Sequence, residues 1–433
     1  MIYFDGAIPE SKRVTRLKRL EKHRQELEAF TKMRMKKASE KNPTNKPAKG
    51  KALLGTWVPS SRTFSKALEP PFMVASAIEH LKGSVYGCLT KLIPDEADVG
   101  CLVYAGNHQG VAMLSNDSDL LSTPSGSRMN LTLVLPDTLR LGELESDRPV
   151  LMASCLRPSE ICRQIGISSL HMLAYQRHVN PTASFSVIKQ DAKDQPSLIG
   201  ALIPDFWPDY DGRPDIEEAF PTPKCSVSLD PRLSEVWSQY LQHSIHPTEE
   251  SLALFMYLPA LFEDPTRESP WAHGSNLRQL AYSLLDIVVK VEVRPWCLLE
   301  YQRRGFRVTD VKVDLLCQED LLDVFSEDTS ILQHVRVGDS AAANMAAWQK
   351  VALQAVNKRR AEDGRFTFLP PVHLIACIQA VLYSLRLLKQ AAELHISTEP
   401  TSKIVPQDLL DKLATMPALG DLMDATKKLH ESI

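Results

Sequence analysis

The chain is poor in cysteine, with eight in 433 residues, too few for a disulfide scaffold. None forms a CxxC pair, and the closest two are Cys155 and Cys162. That spacing argues against a structural zinc site. It points to a reducing, intracellular compartment, with nucleus and cytoplasm both open. Glycine loops of the GxxxxGK(S/T) or GxGxxG kind, which cradle phosphates, are missing. So is the GxSxG elbow of serine hydrolases. The start, Met1-Ile2-Tyr3-Phe4-Asp5-Gly6, has no basic head, long apolar core or small-residue cleavage site, and does not read as a secretory signal. No repeat of fixed period occurs. The most apolar long stretch, Leu369 to Leu388, carries Pro370, Pro371, His373, Gln379 and Arg386. It reads as a buried helix and not as a membrane span, so no membrane partner is expected.

What is present is the balance of a globular protein: 44% hydrophobic and 24% charged residues. The length allows two or three domains. The net charge of −3 hides an asymmetry. Residues 12–51 carry 15 Lys/Arg against 4 Asp/Glu, a balance of +11 over a remainder of −14. A basic block on an acidic body suits an anionic partner, nucleic acid first, or else a solvated helix with a flexible tail.

A short strand, Ile2 to Phe4, opens the chain. A helix capped by Ser11 follows. It has an apolar stripe of Val14, Leu17, Leu20, Leu27 and Phe30 among Lys12, Arg13, Arg16, Lys18, Arg19, Lys22 and Arg24. The segment 41–51, with Pro43, Pro47, Gly50 and four lysines, reads as mobile. A helix over Phe72–Leu81 precedes a strand–helix–strand unit: Leu89–Ile93, Glu96–Ala105 and Val111–Leu114. A crossover of that length predicts a parallel pair. Leu131–Leu135 adds a strand, and Pro158–Tyr175 returns to helix. Residues 191–225, with six prolines and six aspartates, read as a linker. Beyond Ser226 helices are expected over Leu233–His243, Glu249–Leu261, Asn276–Val289, Ala341–Arg360 and Val372–Leu394.

Three acidic groups each end a short apolar strand: Asp5, then Asp95-Glu96-Ala97-Asp98, then Asp117-Ser118-Asp119. Side chains at the carboxyl ends of parallel strands gather at one sheet edge. Carboxylates held close there need a cation, and hard oxygen donors suit Mg²⁺ or Mn²⁺. Asp117 and Asp119 share a side if the backbone is extended. Glu96 and Asp98 fall in the first turn of a helix. Each acid alone has a structural reading: Asp5 in a turn with Gly6, Asp95 as a cap, Asp117 in a loop. Three groups in order favour chemistry.

Phe4-Asp5-Gly6, with Pro9 to Arg13 and Arg16 to Glu21, resembles the second strand and following helix of the XPG/flap-endonuclease superfamily. Ile93 to Asp98 resembles its internal acidic motif. Ser115-Asn116-Asp117-Ser118-Asp119 resembles the wording of its asteroid branch. Tyr257 to Pro265, Trp271, Arg278 and Glu300 to Gly305 are similar to fungal asteroid-type proteins. The resemblance is strongest over residues 1–190. It implies an α/β PIN-like nuclease domain over 1–190, with a basic arch-like insertion at 12–51. A linker over 191–225 and a mostly α-helical C-terminal domain over 226–433 would follow. It further implies phosphodiester hydrolysis by two Mg²⁺ or Mn²⁺ ions. Asp5, Glu96 and Asp98 would hold the first ion, and Asp117 and Asp119 the second. Lys12, Arg13, Arg16, Lys18, Arg19, Arg34, Lys36 and Lys37 would meet the phosphates of DNA or RNA.

Two departures bear on this reading. The superfamily's first acidic strand should precede Asp5 by several tens of residues. The domain lacks that strand here, and an incomplete N-terminus is the expectation. The late motif falls at Leu173–Asn180 and offers no carboxylate; His178 or Asn180 are the stand-ins. The competing reading is a degenerate nuclease fold that binds nucleic acid, or binds a protein partner through the helical C-terminal domain. His243 and His246 lack a third metal ligand. Trp237, Trp271, Trp296 and Trp348 read as core.

Overall fold

The computed structural model describes residues 1–9, 12–40, 70–123, 131–143, 149–194, 229–245, 253–289, 297–327, 340–362 and 369–432. The segment 41–51, most of the 191–225 linker, the Ser11 cap, His246 and Trp296 lie outside them. The chain divides into two compact units. One joins Met1–Pro94 to Pro223–Ile433, and the other is Asp95–Thr222.

The first unit opens with β1 (Ile2–Asp5), α1 (Arg13–Glu40), α2 (Met73–Lys82) and β2 (Thr90–Ile93). β1 and β2 pair in parallel, with Asp5 opposite Ile93. Gly6 is required at the next position. A Cβ there would run into the carbonyl oxygen of Ile93 and lie 2.7 Å from Ser234 Oγ.

The second unit runs through α3 (Ala97–Asn107), β3 (Ala112–Leu114), α4 (Asp119–Ser122), β4 (Thr132–Val134), β5 (Arg140–Glu143), β6 (Pro149–Met152) and β7 (Cys155–Leu156). It closes with α5 (Pro158–Ile165), α6 (Leu170–Val179) and α7 (Phe185–Asp194). β3 pairs in parallel with β4, which pairs antiparallel with β7. β5 and β6 form a hairpin. In place of the predicted pairing of 89–93 with 111–114, among the described residues β2 bonds to β1 and β3 to β4. The expected single helix over 158–175 is two, because Gly166 ends α5 in the left-handed region at φ 66°. Leu102, Met113, Leu120, Leu133, Ile167 and Leu170 form a modest core. His171 is buried and its Nδ1 donates to Ser122 O at 2.8 Å, tying α6 to α4.

The first unit resumes with α8 (Pro231–Ile245), β8 (Ala253–Tyr257), α9 (Ser275–Val289), β9 (Cys297–Arg304), β10 (Arg307–Asp314) and α10 (Gln318–Glu327). α11 (Ala341–Glu362), α12 (Pro371–Thr398), α13 (Gln407–Ala414) and α14 (Leu419–Ser432) complete it. The region expected to be helical therefore contains a three-stranded sheet, in order β10-β9-β8. β8 is parallel to β9, and β9 is antiparallel to β10 across a turn at Gly305 and Phe306. The helix expected over Glu249–Leu261 is strand β8. Leu254 and Met256 are fully buried while Phe255 is only half-buried, a period of two. β9 supplies the backbone partner that a local pattern cannot reveal.

α12 is the central helix. It is long and apolar enough to cross a membrane, the one such helix among the described residues, yet most of it is buried in the core. It packs on α9, α11, α13 and α14. Trp271 and Trp348 are buried in this core and Trp237 packs against it, as expected. Trp271 also donates Nε1–H to Pro259 O at 2.9 Å. Burial of such a side chain is worth about 3–5 kcal/mol against alanine.

Candidate functional site

The Tyr257–Pro265 and Glu300–Gly305 stretches, singled out in the sequence, build a buried ionic core in the first unit. Arg278 and Glu300, both wholly inaccessible, form a two-pronged pair at 2.6 Å (Nε–Oε1) and 2.7 Å (Nη2–Oε2). Tyr282 donates its hydroxyl to Oε1 at 2.8 Å. Arg278 also donates to Ser384 Oγ at 3.0 Å and to Trp271 O at 2.9 Å. Arg303 pairs with Glu263 and donates to Gly305 O at 2.6 Å. Burial pushes the Glu263 carboxyl up to about 7, against the pull of Arg303. Burial also holds His373 down to about 4, against Asp264. His373 Nδ1 accepts the Asp264 N–H at 3.3 Å. Every polar group on the Arg278 side is matched, which is the mark of a structural pair.

The five predicted metal ligands stand as follows. Asp5 ends β1, is exposed, and its charge acts on the Arg16 guanidinium. Glu96 is the N-cap residue of α3, and its N–H donates to Asp95 Oδ1 at 2.8 Å. Asp98 sits in the first helical turn, where a negative charge is favoured. Both are half-buried. Asp117 and Asp119 are exposed. Asp119 N–H donates to Asp117 Oδ1 at 2.9 Å, and Asp117 N–H donates to Ser115 Oγ at 3.0 Å. Extended backbone was the premise for placing those two on one side. Instead Ser118 is helical at φ −72°, ψ −17°, and Asp119 begins α4.

Carboxylates suit Mg²⁺ or Mn²⁺ by donor type. Among the described residues no three His, Cys, Asp or Glu side chains gather to hold a metal ion. His178 is exposed near the end of α6, and Asn180 caps that helix with its N–H on Gln176 O at 3.0 Å.

The basic helix divides into two faces. At 100° per residue Arg13, Leu20, Arg24 and Leu27 fall on one side. Arg24 and Leu27 are buried, and Leu20 is half-buried. Arg24 is held by Glu21 at 2.8 Å and Glu28 at 2.8 Å. Val14, expected on the apolar stripe, is 62% exposed because it lies a quarter-turn or more away. Arg13 lies 3.2 Å over the centre of the Phe255 ring and donates to Tyr301 Oη at 3.3 Å. Arg16 lies 5.6 Å from the Tyr257 ring centre and 4.0 Å from Glu235. Burial lowers the pKa of Arg16 while Glu235 raises it. Burial also raises that of Glu235. Lys12, Lys18, Arg19 and Lys22 are exposed. Arg34, Lys36 and Lys37 lie further along α1.

Arg13 and Arg16, expected at phosphates, lie over aromatic rings. Those rings were missed because β8 read as helix. The alternation Ala253, Phe255, Tyr257 was the signal for them.

The profile of the XPG domain-containing family matches residues 69–315, more than half of the chain. The chain belongs to that family. The XPG match begins after α1, so neither Asp5 nor the basic helix lies within it. It includes Glu96, Asp98, Asp117 and Asp119, and it runs on through Arg278, Glu300 and Arg303. No curated protein and no solved structure matches the chain.

Proposed function

We propose that this protein, as a member of the asteroid branch of the XPG family, binds nucleic acid through the outer face of α1. The observation that carries the reading is the division of that helix. Arg13 and Arg16 seat it on the sheet and the buried Arg24 pairs with Glu21 and Glu28 of the same helix, which leaves Lys18, Arg19 and Lys22 outward as a row of cations. Such a row binds phosphate with little regard to sequence and releases counterions as it does so. Replacing Lys18, Arg19 and Lys22 together by glutamate should weaken binding across sequences. The slope of log affinity against log salt should fall by about one per lost contact. Binding and salt slope unchanged in that variant would sink the reading.

A hydrolase reading has a separate support. Glu96, Asp98, Asp117 and Asp119 belong to one unit and lie inside the XPG match. Among the described residues they do not gather into a group of three metal ligands. Mn²⁺-dependent cleavage of DNA or RNA that Asp117→Ala abolishes would favour hydrolysis. Binding that survives Asp117→Ala with no cleavage in either protein would favour the scaffold.

A further inference from the structure

The outer face of the β8–β9–β10 sheet carries three near-parallel aromatic rings. Tyr257 stands opposite Tyr301 across the parallel pair, and their ring centres are 5.2 Å apart at 12°. Phe255, two residues before Tyr257, shares that face. It stacks on Tyr301 at 6.1 Å and 26°. Phe255 and Tyr301 are half-buried, and Tyr257 is 6% exposed beneath α1.

The cover over this face is unusual. A helix laid on a sheet ordinarily does so through aliphatic side chains. Here the groups over the rings are the guanidinium groups of Arg13 and Arg16. The main apolar core of the unit includes no residue of α1 among those described. Cation–ring contacts are weak beside apolar burial, and a guanidinium is also a strong phosphate ligand. A phosphate that reaches Arg13 and Arg16 therefore competes with the rings for them.

We propose that Phe255, Tyr257 and Tyr301 form a base-stacking site for single-stranded nucleic acid, closed by Arg13 and Arg16 and opened when the phosphates draw those arginines away. Stacked rings accept any base, because every base has a π-face, and cationic groups that track the backbone complete a single-strand site. The proposal rests on the nucleic-acid reading above and adds bases to it.

The test uses the full chain and two labelled oligomers of equal length, about 20 nucleotides. One is oligothymidylate and the other is abasic, with the same phosphates and no bases. The wild-type protein is expected to prefer oligothymidylate. Tyr301→Leu should cost about tenfold in affinity for oligothymidylate, the scale of one base–ring stack, and leave abasic binding in place. Tyr301→Phe keeps the ring and should keep the preference. Arg13→Gln combined with Arg16→Gln should enlarge the preference several-fold by uncovering the rings. Phe255→Leu repeats the ring deletion if Tyr301→Leu unfolds, as read by far-ultraviolet circular dichroism. Equal affinity of wild type and the double glutamine variant for both oligomers overturns the stacking site while phosphate binding stands. Binding of neither oligomer overturns the nucleic-acid reading and the stacking site together.

Discussion

On the inner face of the β8–β9–β10 sheet, Glu300 is locked to Arg278 by two short hydrogen bonds, with Tyr282, Ser384 and Trp271 filling the remaining positions. On the outer face of the same sheet, Arg13 and Arg16 rest on aromatic rings and stay half-buried. Both faces use arginine, to opposite ends. The inner pair has given up water and has no other partner to go to, so it is permanent. The outer arginines keep part of their contact with solvent, so an anion can reach them. Where an arginine sits relative to water decides whether it is mortar or ligand.

The inner pair gives the largest expected effect. Arg278→Met leaves Glu300 buried without its partner and should cost about 3–5 kcal/mol in denaturant unfolding. Arg278→Met with Glu300→Leu should recover much of that loss. A single-variant cost under about 1 kcal/mol would erase the contrast between the faces.

Next in size is a pH effect at the end of β9. His373, held down to about 4 from 6.5, stays neutral in the folded protein. Its contribution is complete above pH 6.5 and is lost as pH falls towards 4, about 3 kcal/mol in all. Glu263, pushed up to about 7 from 4.5, acts in the opposite sense. Its contribution is complete below pH 4.5 and is lost as pH rises towards 7. The two nearly cancel in the wild type. Glu263→Gln should therefore leave a protein that weakens on acidification between pH 7 and 4.5. His373→Leu should leave one that strengthens over the same range. Parallel pH profiles for the two variants would mean that these groups do not titrate as described.

Smaller still is the cost of loosening the cover. Arg13→Gln with Arg16→Gln should lower stability by about 1–3 kcal/mol, the sum of two cation–ring contacts. A loss as large as that of Arg278→Met would make the outer face as permanent as the inner one. Asp117→Ala stands last. It removes only a loop hydrogen bond to Asp119 N–H at an exposed position and should leave the melting temperature within a few degrees. A large fall would reveal a structural duty for that carboxylate.

Much of the helical framework was legible in local pattern. α2, α8, α9, α11 and α12 fall where periodicity placed them, and β2, β3 and β4 lie at the expected runs. The largest failure has a tertiary cause. β8 and the β9–β10 hairpin gain their strand character from each other, through backbone bonds between residues some 40 apart in the chain. The split of 158–175 turned on the one positive φ at Gly166. For the acids, the motif positions were legible and their arrangement was not. Asp117 and Asp119 fall in a helical turn instead of extended backbone, which local pattern did not reveal.

By itself the sequence settled the chain's class: a protein without disulfide spacing or a phosphate loop, with a basic helix near one end and XPG-like acidic turns. Those are properties of composition and short spacing, and they survive any fold. Tertiary structure alone decided the fate of each charge. Arg13, Arg16, Arg24, Arg278 and Arg303 are chemically identical on paper. One fills a core with Glu300, one clamps Glu263, one is held by Glu21 and Glu28, and two lie on rings. The physical reason is desolvation: what a charge can do depends on how much water it has lost and which partner replaced it, and only the assembled chain sets either.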